Sequence, residues 1–166
     1  MKLSPAIRNY LSDQQVNFNL LEHSRSSTSM QTAHKSHIAP SQLAKAVVLR
    51  DRDDYIVCVI PTSHQLVINW LNGDYKRHYS LANEDEISEL FPDCEVGAIP
   101  VFGQAYGLSV VWDNHLRHAA QVYVEAGDHR HIIQLDQAEF QQLMTGSDHM
   151  TLSCTPETME FYRHVH

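Results

Sequence analysis

Lys45 is the residue of this sequence best suited to chemistry. It sits in Leu43-Ala44-Lys45-Ala46-Val47-Val48-Leu49, at the start of a run otherwise fit for a core strand. A lysine there must snorkel out of the sheet end or point into a pocket. In a pocket its ammonium is a point charge suited to a phosphate, a carboxylate or a developing oxyanion. A second stretch, Cys94-Glu95-Val96-Gly97-Ala98-Ile99-Pro100-Val101-Phe102-Gly103, is apolar yet carries two glycines and a proline. Gly97 and Gly103 allow backbone angles or close approaches that other residues resist, and Pro100 fixes φ and removes a donor. Such a segment suits the wall of a small-molecule pocket, or a buried strand entered and left by tight turns.

Other reactive residue types are present without a supporting pattern. Cys58 stands mid-strand and reads as a small packed hydrophobe. Cys94 lies near the loop but has no evident base. There are 12 histidines. They form no His-Glu-x-x-His or similar metal spacing, so no metal site is expected. No Gly-x-Ser-x-Gly elbow exists. The polar run Asp128-His129-Arg130-His131 is explained by a hairpin turn.

The elements that must position these residues follow from pattern. Ser4-Pro5 starts a helix with Ile7, Tyr10 and Leu11 on its apolar face. Residues 16–20 alternate as a strand closed by Glu22-His23, and a short helix is expected over 29–35. Residues 44–50 and 55–61 form a hairpin across Asp51-Arg52-Asp53-Asp54, apolar on both faces and therefore central. A helix is expected over 64–71, stopped by Asn72-Gly73. A short strand at Tyr79 and Leu81 leads to a helix capped by Asn83 and Glu86 and stopped by Pro92. Strands are expected over 107–112, 121–124 and 131–135, the last of the chain. Asp136 with Glu139 should cap a helix ending at Gly146, and Thr155-Pro156 should open a C-terminal helix through Tyr162. Six or seven strands and four or five helices without strict βα alternation make an α+β fold: a mixed, mostly antiparallel central sheet with surrounding helices.

Length and composition bound the rest. The chain has 166 residues, which suits one domain spanning 1–166. Lys and Arg total 12 against 20 acids, a net charge of −8. A protein that grips many phosphates needs a basic face, so broad nucleic-acid binding and DNA are not expected. A few phosphates at one mouth remain compatible. No apolar run approaches the ~20 residues of a membrane span. The polar N-terminus does not resemble a signal peptide, and three widely spaced cysteines suit a reducing, cytoplasmic home.

Several segments together resemble the YbaK/EbsC family, free-standing aminoacyl-tRNA deacylases related to the editing insertion of bacterial prolyl-tRNA synthetase. They are Ala44 to Leu49, Val57-Cys58-Val59-Ile60-Pro61 and Gly97 to Gly103. Glu22-His23, Val111-Trp112-Asp113 and Tyr123-Val124-Glu125-Ala126-Gly127 support them. The likeness runs from about Leu20 to Phe140. The family's lysine matches Lys45, and its Gly-x-x-x-Pro loop matches the stretch from Gly97. Here Val101 stands four residues after the glycine, and proline comes one position earlier, at Pro100.

The resemblance implies hydrolysis of the ester between a mischarged amino acid and the terminal adenosine of tRNA. It implies no metal, no cofactor and no side-chain nucleophile. It points to Lys45, Gly97, Ala98 and Pro100 as the catalytic set, with backbone N–H groups near Gly97 and Ala98 as oxyanion donors. His23, Ser29, Thr32, Val101 and Phe102 would border the amino acid, with His34 nearby. A charged lysine has no acceptor, so the proton would pass to the substrate's 2′-hydroxyl or to a water held by loop carbonyls. The acidic chain would touch only the acceptor end, with a synthetase or elongation factor delivering the body of the tRNA. The alternative is a module that kept the pocket, lost catalysis, and binds an amino-acid-like ligand or a protein partner.

Overall fold

A computed structural model describes residues 3–165. Met1 and Lys2, which open the polar N-terminus, lie outside the described residues. In chain order the elements are α1 (Pro5–Asp13), β1 (Asn19–Glu22), α2 (Ser29–Lys35), β2 (Leu43–Asp51), β3 (Asp54–Pro61), β4 (Gln65–Leu66), α3 (Ile68–Tyr75), β5 (Ser80–Leu81) and α4 (Glu84–Leu90). Then follow β6 (Ser109–Asp113), β7 (Gln121–Glu125), β8 (His131–Asp136), α5 (Gln137–Leu143), β9 (Asp148–Met150), β10 (Ser153–Cys154) and α6 (Pro156–Val165). Short 3-10 helices cover Gly103–Tyr106 and Asn114–His118.

The main sheet runs β1-β8-β7-β2-β3-β6-β9, with β5 also on β2. The β2–β3 hairpin is central, as its two apolar faces require. The β2–β7, β3–β6 and β6–β9 pairs are parallel, and the other pairs are antiparallel. The fold is the mixed, mostly antiparallel α+β architecture expected.

Alternation along the strands assigns side chains to two faces. Ala44, Val48, Val57, Val59, Val122, Val124 and Ile133 enter one core with Ile7, Leu11, Phe91, Phe102 and Phe140. Leu49, Ile56, Cys58, Ile60 and Val111 enter a second core with Leu71 and Leu152. A fully buried side chain such as Phe102 contributes about 1.5–3 kcal/mol over an exposed one. Lys45 and Val47 share the second face with Leu49.

Local signals fix several ends. Ser4 caps α1 by accepting from the Ile7 N–H, with Pro5 at the first position. Asn83 and Glu86 form both bonds of a capping box on α4. Other expectations need correction. Asn72-Gly73 does not stop α3, which runs through to Tyr75 and ends on left-handed Lys76. The Asn72 side chain instead exchanges hydrogen bonds with the Tyr79 backbone and holds the returning chain. The helix also starts later than expected, because Gln65–Leu66 is claimed by pairing with β10. The first strand begins at Asn19 rather than Val16, whose side chain is buried ahead of it. Strand β8 is not the last, since β9 and β10 follow. Asp136 makes no side-chain cap on α5, because its carboxylate accepts from Gln121 Nε2.

Candidate functional site

The ladder along one edge of β2 is broken. β7 pairs with Leu43 and Ala44, and β5 pairs with Leu49 and Arg50. Among the described residues no strand pairs with that edge between them. Lys45 opens this gap. Its side chain is half-buried. Burial lowers its pKa, and it forms no hydrogen bond or ion pair with any described residue. A partly desolvated ammonium with no counter-charge is suited to an anionic or strongly polar ligand.

The glycine loop crosses the same strand. Gly97 lies beside the His129 ring and the Ser27 carbonyl, at the turn between β7 and β8. Gly103 lies on Val57 and Val110 of β3 and β6, where an added Cβ would come within 2.7 Å of Val57 Cγ2. Since β2 stands between β7 and β3, residues 98–102 must pass over it. The loop turns at Gly97, whose φ of +91° is a left-handed angle, and the turn is closed by the Ala98 N–H donating to the Glu95 carbonyl.

That bond changes the expected roles. The Ala98 N–H is occupied and is not an open oxyanion donor. The N–H groups of Gly97, Ile99 and Val101 form no hydrogen bond among the described residues. Of these only the Gly97 N–H belongs to an exposed residue; Ile99 and Val101 are buried. The side chains of Ile99, Val101 and Phe102 enter the first core, on the face of β2 opposite Lys45. Val101 and Phe102 are fully buried there, which corrects their expected place against a substrate: they pack the core. Pro100, between Ile99 and Val101, is buried as well.

Beside Lys45, α2 covers the second face. Thr28 caps this helix by accepting from Gln31. Thr32 is buried, its hydroxyl 2.6 Å from that of Ser26. Ser29, at the first position of α2, is partly exposed, and His34 is exposed. His23 is buried; its Nδ1 donates to the Ser24 carbonyl at 2.7 Å, while its Nε2 has no partner among the described residues. The structure thus brings His23, Thr32 and Lys45 to one face of the sheet.

It adds two groups without an assigned role in the sequence reading. Glu125, at the end of β7, is 4% exposed, and its Oε2 has no hydrogen-bond partner among the described residues. The parallel register places it one residue beyond Val124, as Lys45 stands one beyond Ala44, where the two strands part. Burial pushes its pKa up to about 8, with the Thr32 hydroxyl opposing that shift. The second group is His64, after the Pro61 end of β3. A carboxyl inside an apolar strand was the visible signal for Glu125; nothing local marks His64 among 12 histidines.

Cys94 is no activated nucleophile: burial first, and the Asp93 charge, push its thiol up to about 11. Burial pushes Cys58 up to about 12. Among the described residues, no three His, Cys, Asp or Glu side chains are grouped to hold a metal ion. No helix there is long and apolar enough to cross a membrane.

Fold and site define an α+β protein with a half-buried lysine at a broken sheet edge and a glycine loop packed on the opposite face of the same strand. The chain belongs to the family of the aminoacyl-tRNA editing domain, which it matches over residues 23–143. No curated protein matches its sequence. Its fold is similar to that of hypothetical protein APE2540, with a TM-score of 0.80 at 20% identity, covering 90% of this chain and 99% of the other. It is similar also to a protein provisionally assigned as a trans-editing enzyme for prolyl-tRNA synthetase, with a TM-score of 0.79 at 19% identity, covering 92% and 99%. A provisionally assigned signal transduction protein from Marinobacter aquaeolei has a TM-score of 0.72 at 17% identity, covering 89% of this chain and 30% of the other.

Proposed function

We propose that this protein hydrolyses the ester linking a mischarged amino acid to the 3′-terminal adenosine of a tRNA. The observation that carries this reading is Lys45, a half-buried ammonium at the gap in the β2 ladder with no hydrogen bond or ion pair among the described residues. The family supports an aminoacyl-tRNA substrate. Hydrolysis of an activated ester needs a placed water and donors for the oxyanion. The free N–H of exposed Gly97 is suited to be such a donor. Lys45 holds the terminal phosphate or ribose, or the developing negative charge. His23, Ser29 and Thr32 border the amino-acid side chain. The net charge of −8 limits contact to the acceptor end, and a synthetase or elongation factor delivers the rest.

The test is deacylation of a panel of mischarged tRNAs. Wild type should release at least one amino acid well above background. Lys45→Ala should lower that rate by about 10²-fold or more, the scale of losing one oxyanion donor. An equally active alanine variant, or no turnover of any substrate, overturns the deacylase reading. The engaged Ala98 amide favours one alternative, a pocket that binds without catalysis. Stabilisation by a non-hydrolysable aminoacyl-adenosine without turnover would support that binding module.

A further inference from the structure

A charged lysine cannot accept the proton that water loses on attacking the ester. A relay at the Lys45 end of the sheet supplies an acceptor. Asp113, at the end of β6, is fully buried. Four donors converge on its carboxylate: the Leu152 N–H, the Ser153 hydroxyl, and the backbone N–H and Nδ1 of His115. The Ser153 hydroxyl donates to Asp113 Oδ2 at 2.6 Å, which spends its only proton. Its oxygen is therefore an acceptor toward His64 Nδ1, 2.9 Å away. His64 must carry its proton on Nδ1. Its Nε2 keeps a free lone pair.

We infer that His64 is the general base of this site, oriented by Ser153 and Asp113 as positioning residues. The inference rests on the deacylase reading. In the step it describes, His64 Nε2 takes a proton from water as the water oxygen bonds to the ester carbonyl carbon. Lys45 faces the oxyanion. The tetrahedral intermediate then breaks its bond to the ribose oxygen, and the imidazolium returns the proton to that oxygen. The products are a free amino acid and a tRNA with its terminal hydroxyl restored. No oxidant, metal or covalent enzyme intermediate enters the balance. This assignment replaces the substrate 2′-hydroxyl as the expected proton acceptor.

The surroundings suit the role. His64 is half-buried, and its ring meets that of His115 edge-on at 4.5 Å. Burial lowers its pKa, the charges of His115 and Lys45 lower it further, and Asp113 opposes them. The ring is thus held neutral at neutral pH, as a base requires. The sheet register sets Lys45 opposite Ile60 and Asp113 one residue past the Val59–Trp112 pair, so Lys45 and the relay stand at the same end of the sheet.

The experiment compares His64→Gln and Ser153→Ala with wild type on the substrate that wild type turns over. Activity of wild type should rise with pH through the His64 pKa, below the ordinary histidine range. His64→Gln should lose about 10²–10⁴-fold in kcat together with that limb, the scale of general-base catalysis. It should bind a non-hydrolysable aminoacyl-adenosine as wild type does. Ser153→Ala should lower kcat with little change in KM, and nitrogen-15 NMR should show His64 losing its pure Nδ1–H tautomer. A His64→Gln variant within twofold of wild type, or one that loses analogue binding instead of turnover, overturns the base assignment alone. A wild type inactive on every substrate overturns the deacylase reading and this role together. Unchanged far-ultraviolet dichroism and Tm would show that the variants fold.

Discussion

Glu125 is a carboxyl that the fold keeps largely protonated. Its pKa is raised to about 8 by burial, above that of an unfolded chain. The folded protein therefore holds a proton that the unfolded chain releases above about pH 4.3. The stability tied to this group is fully present below that pH, declines as pH rises toward 8, and then levels off. Glu125→Gln, neutral at every pH, should remove that decline. Thermal denaturation from pH 5 to 9 should give the variant a Tm about 5 °C or more above wild type at pH 8, and little advantage at pH 5. A wild-type Tm that does not fall between pH 5 and 8 would contradict the neutral buried acid. Lys45 is the complementary case: burial lowers its pKa, and it has no hydrogen bond or ion pair among the described residues.

At the scale of elements, the loop from Gly97 to Gly103 is fastened at its two ends by different physics. Gly97 supplies the left-handed turn, whereas Gly103 supplies closeness. Its missing side chain lets the loop lie on Val57 and Val110, and an added Cβ would also approach Val110 Cγ2 at 3.0 Å. These contacts are with β-branched side chains packed in the core, which have little freedom to yield. Gly103→Ala should therefore cost about 1–3 kcal/mol, read as a lower urea midpoint with unchanged slope. It should also lower deacylation by lifting the loop from β2. A variant as stable as wild type would mean that the loop is not seated there.

The whole molecule is acidic, and that sets how it meets a polyanion. Each phosphate contact on a single strand releases about 0.7 counterion. An acceptor-end contact centred on Lys45 should give log KM a dependence on log salt with slope no larger than about 1–2. Deacylation of a tRNA and of its acceptor-stem minihelix, compared over a salt series, checks this. A slope near about 5, or loss of activity on the minihelix, would require a broad phosphate-binding face and overturn the acceptor-end contact. The fold itself concentrates the site at one place. A parallel pair that parts after Ala44 and Val124 opens the sheet edge at Lys45.

Features written within a few residues were legible without the fold. The Asn83–Glu86 capping box, the Ser4-Pro5 helix start and the apolar β2–β3 hairpin each depend on neighbours a turn or a strand away. Lys45 stood out because a charge in an apolar strand is locally anomalous. Asn72 and Asp136 misled because distant partners, Tyr79 and Gln121, took the groups that would have served as local caps. The relay at Asp113 joins residues 40 and 89 positions apart, and no spacing rule connects them. Sequence alone thus determined the fold class, the central hairpin and the lysine, through propensity and hydrophobic alternation. Only the tertiary structure decided that Val101 and Phe102 belong to the core, that the Ala98 amide is spent on a turn, and that Glu125 is buried without its full complement of bonds. The physical reason is that burial and hydrogen-bond partnership belong to pairs of residues brought together by the sheet, and a single stretch of chain does not contain the partner.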